Sequence, residues 1–313
     1  NALQVGCWVR SLAEPGALVP EWGARLARAL LQCPLRAALR RQEANASFGA
    51  LLAELRAPQR PRGPAAERLG RGPRRELCIL LPATDATARQ VQRAQAAAAT
   101  WARPYLGAGA GRVVAVLYSR RPLLPSWRDS TLSLAGDVDM RHPKFNALRF
   151  LYLWWTLALH HARSCDFFMK ADMDAYVNVE AVRRSLRRFN ASEAIYAGTV
   201  TLSHGPSYEK WETFAHGLGY ILSRGALVSA AVALRNCLQQ LVHFRLEAIE
   251  DMTLAACLRK AEVRPRDLGP VDFDFKGDVR GAAAAAERGE APLVIHPVEP
   301  AEMLRLHGAL APA

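Results

Sequence analysis

The feature that most constrains this chain is an apolar segment, residues 167–171, that ends in two aspartates separated by one residue. Such a segment predicts a buried strand, which carries Asp172 and Asp174 to an edge of a sheet. Irregular backbone at that edge allows both carboxylates to approach one cation, and such hard oxygen ligands suit Mg²⁺ or Mn²⁺ beside substrate phosphates. The alternative is an ordinary exit from a strand into a loop, because an Asp-x-Asp motif is short.

From Glu76 onward, predicted strands and helices alternate along the chain. The clearest patterns are strands at residues 76–82, 112–118 and 194–198, and helices at residues 145–161 and 178–188. Strands separated by helices of this length predict an α/β fold with a largely parallel sheet. Ligands of such sheets bind beyond the carboxyl ends of the strands, which is where Asp172 and Asp174 fall.

The N-terminal quarter of the chain has a different composition. Residues 1–53 contain short helical patterns, and residues 54–75 are rich in arginine and proline, a composition typical of an extended linker. We therefore predict a domain boundary near residue 75. Residues 1–75 would form a stem-like helical and linker region, and residues 76–313 would form the main domain.

The charge balance admits several classes of partner. Lys and Arg number 41 against 29 Asp and Glu, giving a net charge of +12, which is compatible with nucleic acid, an anionic membrane or an anionic small molecule. The chain has no zinc-finger spacing and no RNP-type aromatic motif, so we predict no nucleic-acid function. No run of uncharged apolar residues is long enough to predict a transmembrane helix.

The cysteines and sequons point to a secretory compartment. None of the 6 cysteines has Cys-x-x-Cys spacing, which argues against a structural zinc site, and an even count permits disulfides. Asn45 and Asn190 each begin an Asn-x-Ser sequon for glycosylation.

Three other features carry chemistry, and each has a simpler explanation when taken alone. Gly217 and Gly219 precede an apolar segment and allow either close approach of a ligand or a tight turn. Glu250 and Asp251 open a helical pattern, where acids ordinarily interact with the helix dipole. His296 lies on a late predicted strand whose end returns to the sheet edge, either as a ligand or as a core residue.

In this order along the chain, however, these features are no longer independent. The series of Arg149, the Asp-x-Asp motif, the glycine pair, the acidic pair and His296 resembles the β1,3-glycosyltransferases of glycosyltransferase family 31. It is most similar to the branch of core 1 β1,3-galactosyltransferase and fringe, from about Glu76 to the C-terminus. The resemblance implies a GT-A catalytic domain, which is a Rossmann-like nucleotide-sugar-binding fold with a mixed, mainly parallel sheet.

The resemblance also implies roles for individual residues. Asp172, Asp174 and His296 match the metal ligands, and a mixed carboxylate and imidazole set suits Mn²⁺ better than Mg²⁺. Asp251 matches the catalytic base, with Glu250 its neighbour in the same motif.

The remaining implied contacts are with the two substrates. Matches to the donor site are the loop Ala83, Thr84 and Asp85, then Arg149, where the family usually has lysine, and Asp172, Gly217 and Gly219. Tyr208 and Trp211 are candidates to stack on an acceptor sugar. Two positions depart from many relatives: Met173 replaces an aspartate and Ala175 a threonine, and both changes bear on the fit of the sugar.

A disulfide between Cys237 and Cys257 is a further implication of the resemblance. It would fix the helix that carries the acidic pair and would stabilise the fold by about 3 kcal/mol in the loop-entropy description. For Cys7, Cys33, Cys78 and Cys165 the sequence leaves the pairing open.

The implied activity is inverting transfer of a sugar, with galactose favoured, from a UDP-sugar to a glycan or glycoprotein acceptor to form a β1,3 linkage. Two alternatives stay open: a fringe-like enzyme that uses UDP-N-acetylglucosamine, and a non-catalytic chaperone or scaffold. The implied location is the Golgi or endoplasmic-reticulum lumen, with a type II membrane anchor upstream of this chain. A homodimer is compatible with the resemblance.

Overall fold

A computed structural model describes residues 74–82, 87–106, 112–118, 131–132, 143–204, 211–243, 249–268, 281, 284–285 and 292–310. Residues 1–73 lie outside these ranges, so the predicted division of the chain near residue 75 stays a prediction. Among the helices of the described ranges, none is both long and apolar enough to cross a membrane.

The strands follow the alternating pattern of the sequence. They are β1 (Arg75–Pro82), β2 (Val113–Tyr118), β3 (Thr131–Leu132), β4 (Cys165–Ala171), β5 (Tyr176–Val177), β6 (Tyr196–Gly198), β7 (Val200–His204), β8 (Trp211–Ala215), β9 (Gly219–Ser223), β10 (Pro265–Asp267) and β11 (Val294–Ile295). A seven-stranded sheet has the order β10-β6-β9-β4-β1-β2-β3. Only β9 runs against its neighbours in this sheet, β4 and β6. The predicted α/β fold, with its mixed and mainly parallel sheet, is confirmed.

Two of the helices in the described ranges begin after residues whose side chains cap them. The helices are α1 (Ala88–Ala99), α2 (Pro143–His160), α3 (Val179–Leu186), α4 (Arg224–His243), α5 (Glu250–Arg259) and α6 (Pro300–Leu310), with a short 3-10 helix at Arg103–Tyr105. The side chain of Thr87 accepts a hydrogen bond from Gln90 N at the start of α1, and Asn178 accepts one from Ala181 N at the start of α3. Such caps satisfy backbone donors that the helix leaves unpaired.

Strand β1 lies at the centre of the core, with helices on both of its faces. Leu77, Ile79 and Leu81 join one apolar cluster with side chains of α1 and α6. Because alternate residues of a strand point to opposite faces, Cys78 and Leu80 fill the other side. All five side chains are at most 1% exposed. This two-sided burial explains why residues 77–81 of the strand are all apolar rather than alternating.

The late strand lies in a small sheet of its own, and its end reaches the Asp-x-Asp turn as the sequence predicts. β11 pairs antiparallel with β5 in this separate two-stranded sheet. The physical reason is that β5 leaves the main sheet directly after the Asp-x-Asp turn and presents its own backbone for pairing. This small sheet brings His296 to Asp174.

Candidate active site

Asp172, Asp174 and His296 converge on one point beyond the end of β4. One potential ligand atom from each lies within 4.8 Å of the other two. His296 Nε2 lies 3.0 Å from Asp174 Oδ1 and 3.9 Å from Asp172 Oδ2. The structure therefore brings together the three residues that the sequence proposes as metal ligands.

The turn that carries the two aspartates is held by backbone hydrogen bonds. Ala175 N donates to Asp172 O at 3.1 Å, and Val298 N donates to Asp174 O at 2.8 Å. The indole of Trp101 also donates to Ala175 O at 2.9 Å. These bonds fix the turn that follows β4 and hold both aspartates beyond the end of the strand.

Each aspartate has one carboxylate oxygen next to a basic side chain and the other next to His296. Lys170 Nζ lies 2.8 Å from Asp172 Oδ1, and Arg93 NH1 lies 2.9 Å from Asp174 Oδ2. The oxygens nearest His296 are the opposite ones, Asp172 Oδ2 and Asp174 Oδ1. Two carboxylates and an imidazole with partly exposed side chains fit a divalent cation, so this set suits the metal that the family resemblance implies.

The charge state of Asp174 agrees with a ligand role. Burial acts to raise the pKa of this carboxyl, but the hydrogen bond and charge of His296 and the charge of Arg93 outweigh burial and lower it. Asp174 is therefore ionised at neutral pH, as metal ligation requires.

Lys170 is the buried charge between the aspartate turn and α5. Its side chain donates to Gly217 O and lies 3.5 Å from Glu250 Oε2 in addition to its contact with Asp172. Burial acts to lower the pKa of Lys170, but the charges of Asp172 and Glu250 outweigh burial and raise it. The ammonium group therefore stays charged and links the two acidic groups of the site.

Glu250 is fixed by a chain of aromatic donors. Tyr220 OH donates to Glu250 Oε1, and Trp154 Nε1 donates to Tyr220 OH at 2.8 Å. Burial raises the pKa of Glu250 to about 7, against the opposing charge of Lys170. Both oxygens of this carboxylate therefore face fixed groups of the protein.

Asp251 makes contact with the glycine turn. Its Oδ2 accepts from Gly217 N at 2.6 Å, and its Oδ1 accepts from Met252 N at 2.7 Å. A Cβ at position 217 would lie 2.9 Å from Asp251 Oδ2, so a larger residue there would require this carboxylate to shift. The predicted contact of Gly217 with the donor stays a prediction.

Several predicted substrate contacts fall outside what the structure describes. Ala83, Thr84, Asp85 and Tyr208 lie outside the described residues. Arg149 lies on α2 and Trp211 is the first residue of β8, but the structure describes only the backbone of these two residues. Their proposed roles stay predictions. Gly219 is described, and a Cβ there would lie 3.1 Å from Val294 Cγ2.

Two disulfides lie within the described part of the chain. Cys237 is joined to Cys257, the pair that the resemblance implies, which links α4 to the helix that begins with Glu250 and Asp251. Cys78 is joined to Cys165, which links β1 to β4 and is a pairing that the sequence leaves open.

Replacing Lys170 with methionine is expected to lower the free energy of unfolding by about 3–5 kcal/mol near pH 8, because buried carboxylates lose their cation. The loss should shrink towards pH about 5.5, because Glu250, with its pKa of about 7, is then protonated and needs no cation. In the wild type the lysine is charged across this range, so its contribution does not change with its own titration.

Urea unfolding at the two pH values measures this effect. The double variant Lys170→Met with Glu250→Gln is the control. The difference in its free energy of unfolding from that of Glu250→Gln should depend less on pH. An equal loss of unfolding free energy for Lys170→Met at both pH values would show that Lys170 does not stabilise the charged form of Glu250.

Comparisons with known proteins agree with the motif series. Residues 150–266 match a family model described as Fringe-like. The chain is 28% identical over 241 residues to beta-1,3-galactosyltransferase GALT1 of Arabidopsis thaliana, covering 69% of this chain and 35% of that protein. It is 22% identical over 187 residues to beta-1,3-galactosyltransferase 5 of Mus musculus, covering 55% of this chain and 58% of that protein. The chain therefore spans less than two thirds of either relative's length.

Among solved structures, a galactosyltransferase in complex with donor and acceptor sugar analogues is similar at 11% identity and a TM-score of 0.41, over 75% of this chain and 97% of that chain. The matched residues 150–266 include the Asp-x-Asp turn, the glycine pair and the acidic pair. The motif series and the sequence matches agree, and they identify the chain as a relative of the β1,3-glycosyltransferases of glycosyltransferase family 31.

Proposed function

We propose that this protein is an inverting, Mn²⁺-dependent glycosyltransferase that moves a sugar, galactose in the first place, from a UDP-sugar to an acceptor hydroxyl to form a β1,3 linkage. The observation that carries the proposal is the convergence of Asp172, Asp174 and His296 within 4.8 Å, next to the acidic pair that opens α5. Lys170 contacts both Asp172 and Glu250 and so joins the two halves of the site.

Asp172, Asp174 and His296 would hold the cation, and the mixed ligand set favours Mn²⁺ over Mg²⁺. When bound, the cation would supply charge neutralisation to the departing diphosphate. Lys170 contacts Asp172 Oδ1, and Arg93 contacts Asp174 Oδ2. The other two oxygens, Asp172 Oδ2 and Asp174 Oδ1, are therefore directed to the place where the cation would bind.

Formation of a β linkage from an α-linked UDP-sugar requires a single displacement with inversion. A carboxylate must then take the proton of the acceptor hydroxyl as that oxygen attacks the anomeric carbon. We assign this role to Asp251, whose carboxylate is oriented by Gly217 N and Met252 N. Glu250 is engaged by Lys170 and Tyr220 and supports the site instead.

The substrates would be held by residues on either side of this centre. On the donor side we propose the loop at residues 83–85, Arg149 and the glycine pair. On the acceptor side we propose that Tyr208 and Trp211 stack on the sugar that receives the transfer. The acceptor is a glycan or a glycoprotein.

A panel of UDP-sugars tests the proposal directly. Purified protein is offered each donor with a mixture of sugar acceptors and Mn²⁺, and UDP release is measured with and without a chelator. We expect release with UDP-galactose that the chelator abolishes. Release with UDP-N-acetylglucosamine instead would support the fringe-like alternative, which the Fringe-like match favours. No release with any donor would favour the scaffold.

For location, we propose the lumen of the secretory pathway, in the Golgi or the endoplasmic reticulum, with a type II anchor upstream of this chain. Asn190 is exposed in a turn after α3, and its Oδ1 accepts from Ser192 N at 3.0 Å and from Ser192 Oγ at 2.7 Å. The sequon is therefore accessible at the surface.

Expression of the protein in secreting eukaryotic cells should give a glycan on Asn190. Peptide N-glycosidase treatment followed by mass spectrometry should find this residue converted to aspartate. Asn190→Gln and Ser192→Ala should both abolish the modification at this position. An unmodified Asn190 in cells that glycosylate a secreted reporter would contradict the proposed location.

A further inference from the structure

Arg93 on α1 and Glu299, just before α6, join Asp174 in a chain of ion pairs. Arg93 NH1 lies 2.9 Å from Asp174 Oδ2, and Arg93 NH2 lies 2.9 Å from Glu299 Oε1. His296 Nε2 lies 3.0 Å from the other oxygen of Asp174. Asp174 is thus held between the imidazole on one side and the guanidinium on the other.

The chain of contacts closes into a ring through the backbone. His296 and Glu299 belong to one short segment, and Val298 N within it donates to Asp174 O at 2.8 Å. One segment therefore supplies a candidate metal ligand, a backbone anchor for a second ligand, and the acid that orients Arg93.

We propose that Arg93 and Glu299 are a positioning pair that sets the orientation of Asp174 and thereby the affinity of the site for its divalent cation. The inference rests on the proposed function, because it assumes that Asp174 is a metal ligand. Arg93 acts through Asp174 and is assigned no contact with the metal.

The geometry of arginine explains why this residue suits the role. A guanidinium presents donors in a rigid planar fork, so one side chain can fix two carboxylates at a defined angle. Arg93 and Asp174 have side chains only 20% and 17% exposed, so solvent screens their contact less than it screens a surface pair. Because Arg93 holds Asp174 Oδ2, Asp174 Oδ1 is directed to the place that it shares with His296 and Asp172.

The competing explanation is a purely structural ion pair between α1 and the start of α6. Arg89 offers a matched control, because it contacts Glu299 at 2.5 Å but has a side chain 65% exposed. A pair of that exposure contributes little to stability because solvent screens it, and Arg89 contacts Glu299 rather than a proposed ligand. If the role of Arg93 were purely structural, Arg89→Met and Arg93→Met should behave alike, because each substitution removes a contact with Glu299.

The test measures Mn²⁺ binding by the electron paramagnetic resonance signal of the free ion, on the purified full chain without substrate. Partners of metal ligands typically change metal affinity by about 10–100-fold, and we expect a loss in this range for Arg93→Met. Glu299→Gln should show a smaller loss, Arg93→Lys should recover part of the affinity, and Arg89→Met should bind as the wild type. Transfer activity of Arg93→Lys and Glu299→Gln should recover at saturating Mn²⁺.

Each outcome separates the inference from the proposed function. If the wild type fails to bind Mn²⁺, the proposed metal site is wrong, and this inference is wrong with it. If the wild type binds and Arg93→Met, Arg93→Lys and Glu299→Gln all match Arg89→Met, the positioning role alone is overturned. Thermal unfolding of every variant is recorded, and should Arg93→Met fail to fold, Arg93→Lys and Glu299→Gln decide the question.

Discussion

Replacing Asp251 with asparagine is expected to lower the rate of sugar transfer by about a thousand-fold or more, equivalent to several kcal/mol of barrier. Asparagine has nearly the same shape as aspartate, and its amide oxygen can still accept from Gly217 N, although its amide nitrogen then replaces the oxygen that accepts from Met252 N. The turn at Gly217 should therefore survive. Asparagine cannot, however, take the proton of an acceptor hydroxyl. Binding of Mn²⁺ and of the UDP-sugar should therefore stay close to wild type.

The measurement is initial-rate transfer at saturating donor, together with calorimetry of donor binding to the same variant. Glu250→Gln is the matched control from the adjacent position, and its loss of rate should be clearly smaller. The assignment would be wrong if Asp251→Asn transferred at the wild-type rate. Glu250 would then become the base, and its pKa of about 7 would suit that task.

Replacing Asp174 with asparagine is expected to abolish Mn²⁺-dependent binding of UDP and, with it, transfer. The substitution removes a negative charge from a set of three candidate ligands and also takes away one of the two carboxylate partners of Arg93, leaving Glu299. The fold should stay intact, because the backbone bond from Val298 N to the carbonyl at position 174 does not depend on the side chain.

Calorimetry of UDP binding with Mn²⁺ and with a chelator checks this prediction. Asp166→Asn is the matched control, since Asp166 lies near the start of β4, the strand that leads to the Asp-x-Asp turn, and pairs with Arg74 there. The control should bind UDP as the wild type does. Wild-type binding by Asp174→Asn would remove this residue from the metal site.

The sequence predicted the elements whose signals are local. The apolar segment before the Asp-x-Asp motif is β4, and the acidic pair does open a helix. Both predictions depend on neighbouring residues, so the pattern of side chains was enough to find them.

The approach of His296 to Asp174 depends on contacts that are distant in sequence. It was found only through the resemblance, because its neighbour lies 122 positions away and the two meet through the pairing of β5 with β11. The residue pattern alone left His296 as either a ligand or a core residue.

The charged partners of the site were missed for different reasons. Lys170 did carry a signal, since a lysine inside an apolar strand must find buried partners. Arg93 carried none, because it is one arginine among many and its partner Glu299 lies 206 positions away. Only the folded arrangement distinguishes it from Arg89, one helical turn earlier.

The most direct test of the central claim is the configuration of the bond that the protein makes. The donor that gives transfer in the panel is supplied as its α-linked UDP-sugar, and the product with Mn²⁺ and a simple sugar acceptor is analysed by proton NMR. We predict a β-anomeric linkage to the 3-hydroxyl, as required by a single displacement with Asp251 as base. An α-linked product would contradict the inverting mechanism and the role given to Asp251.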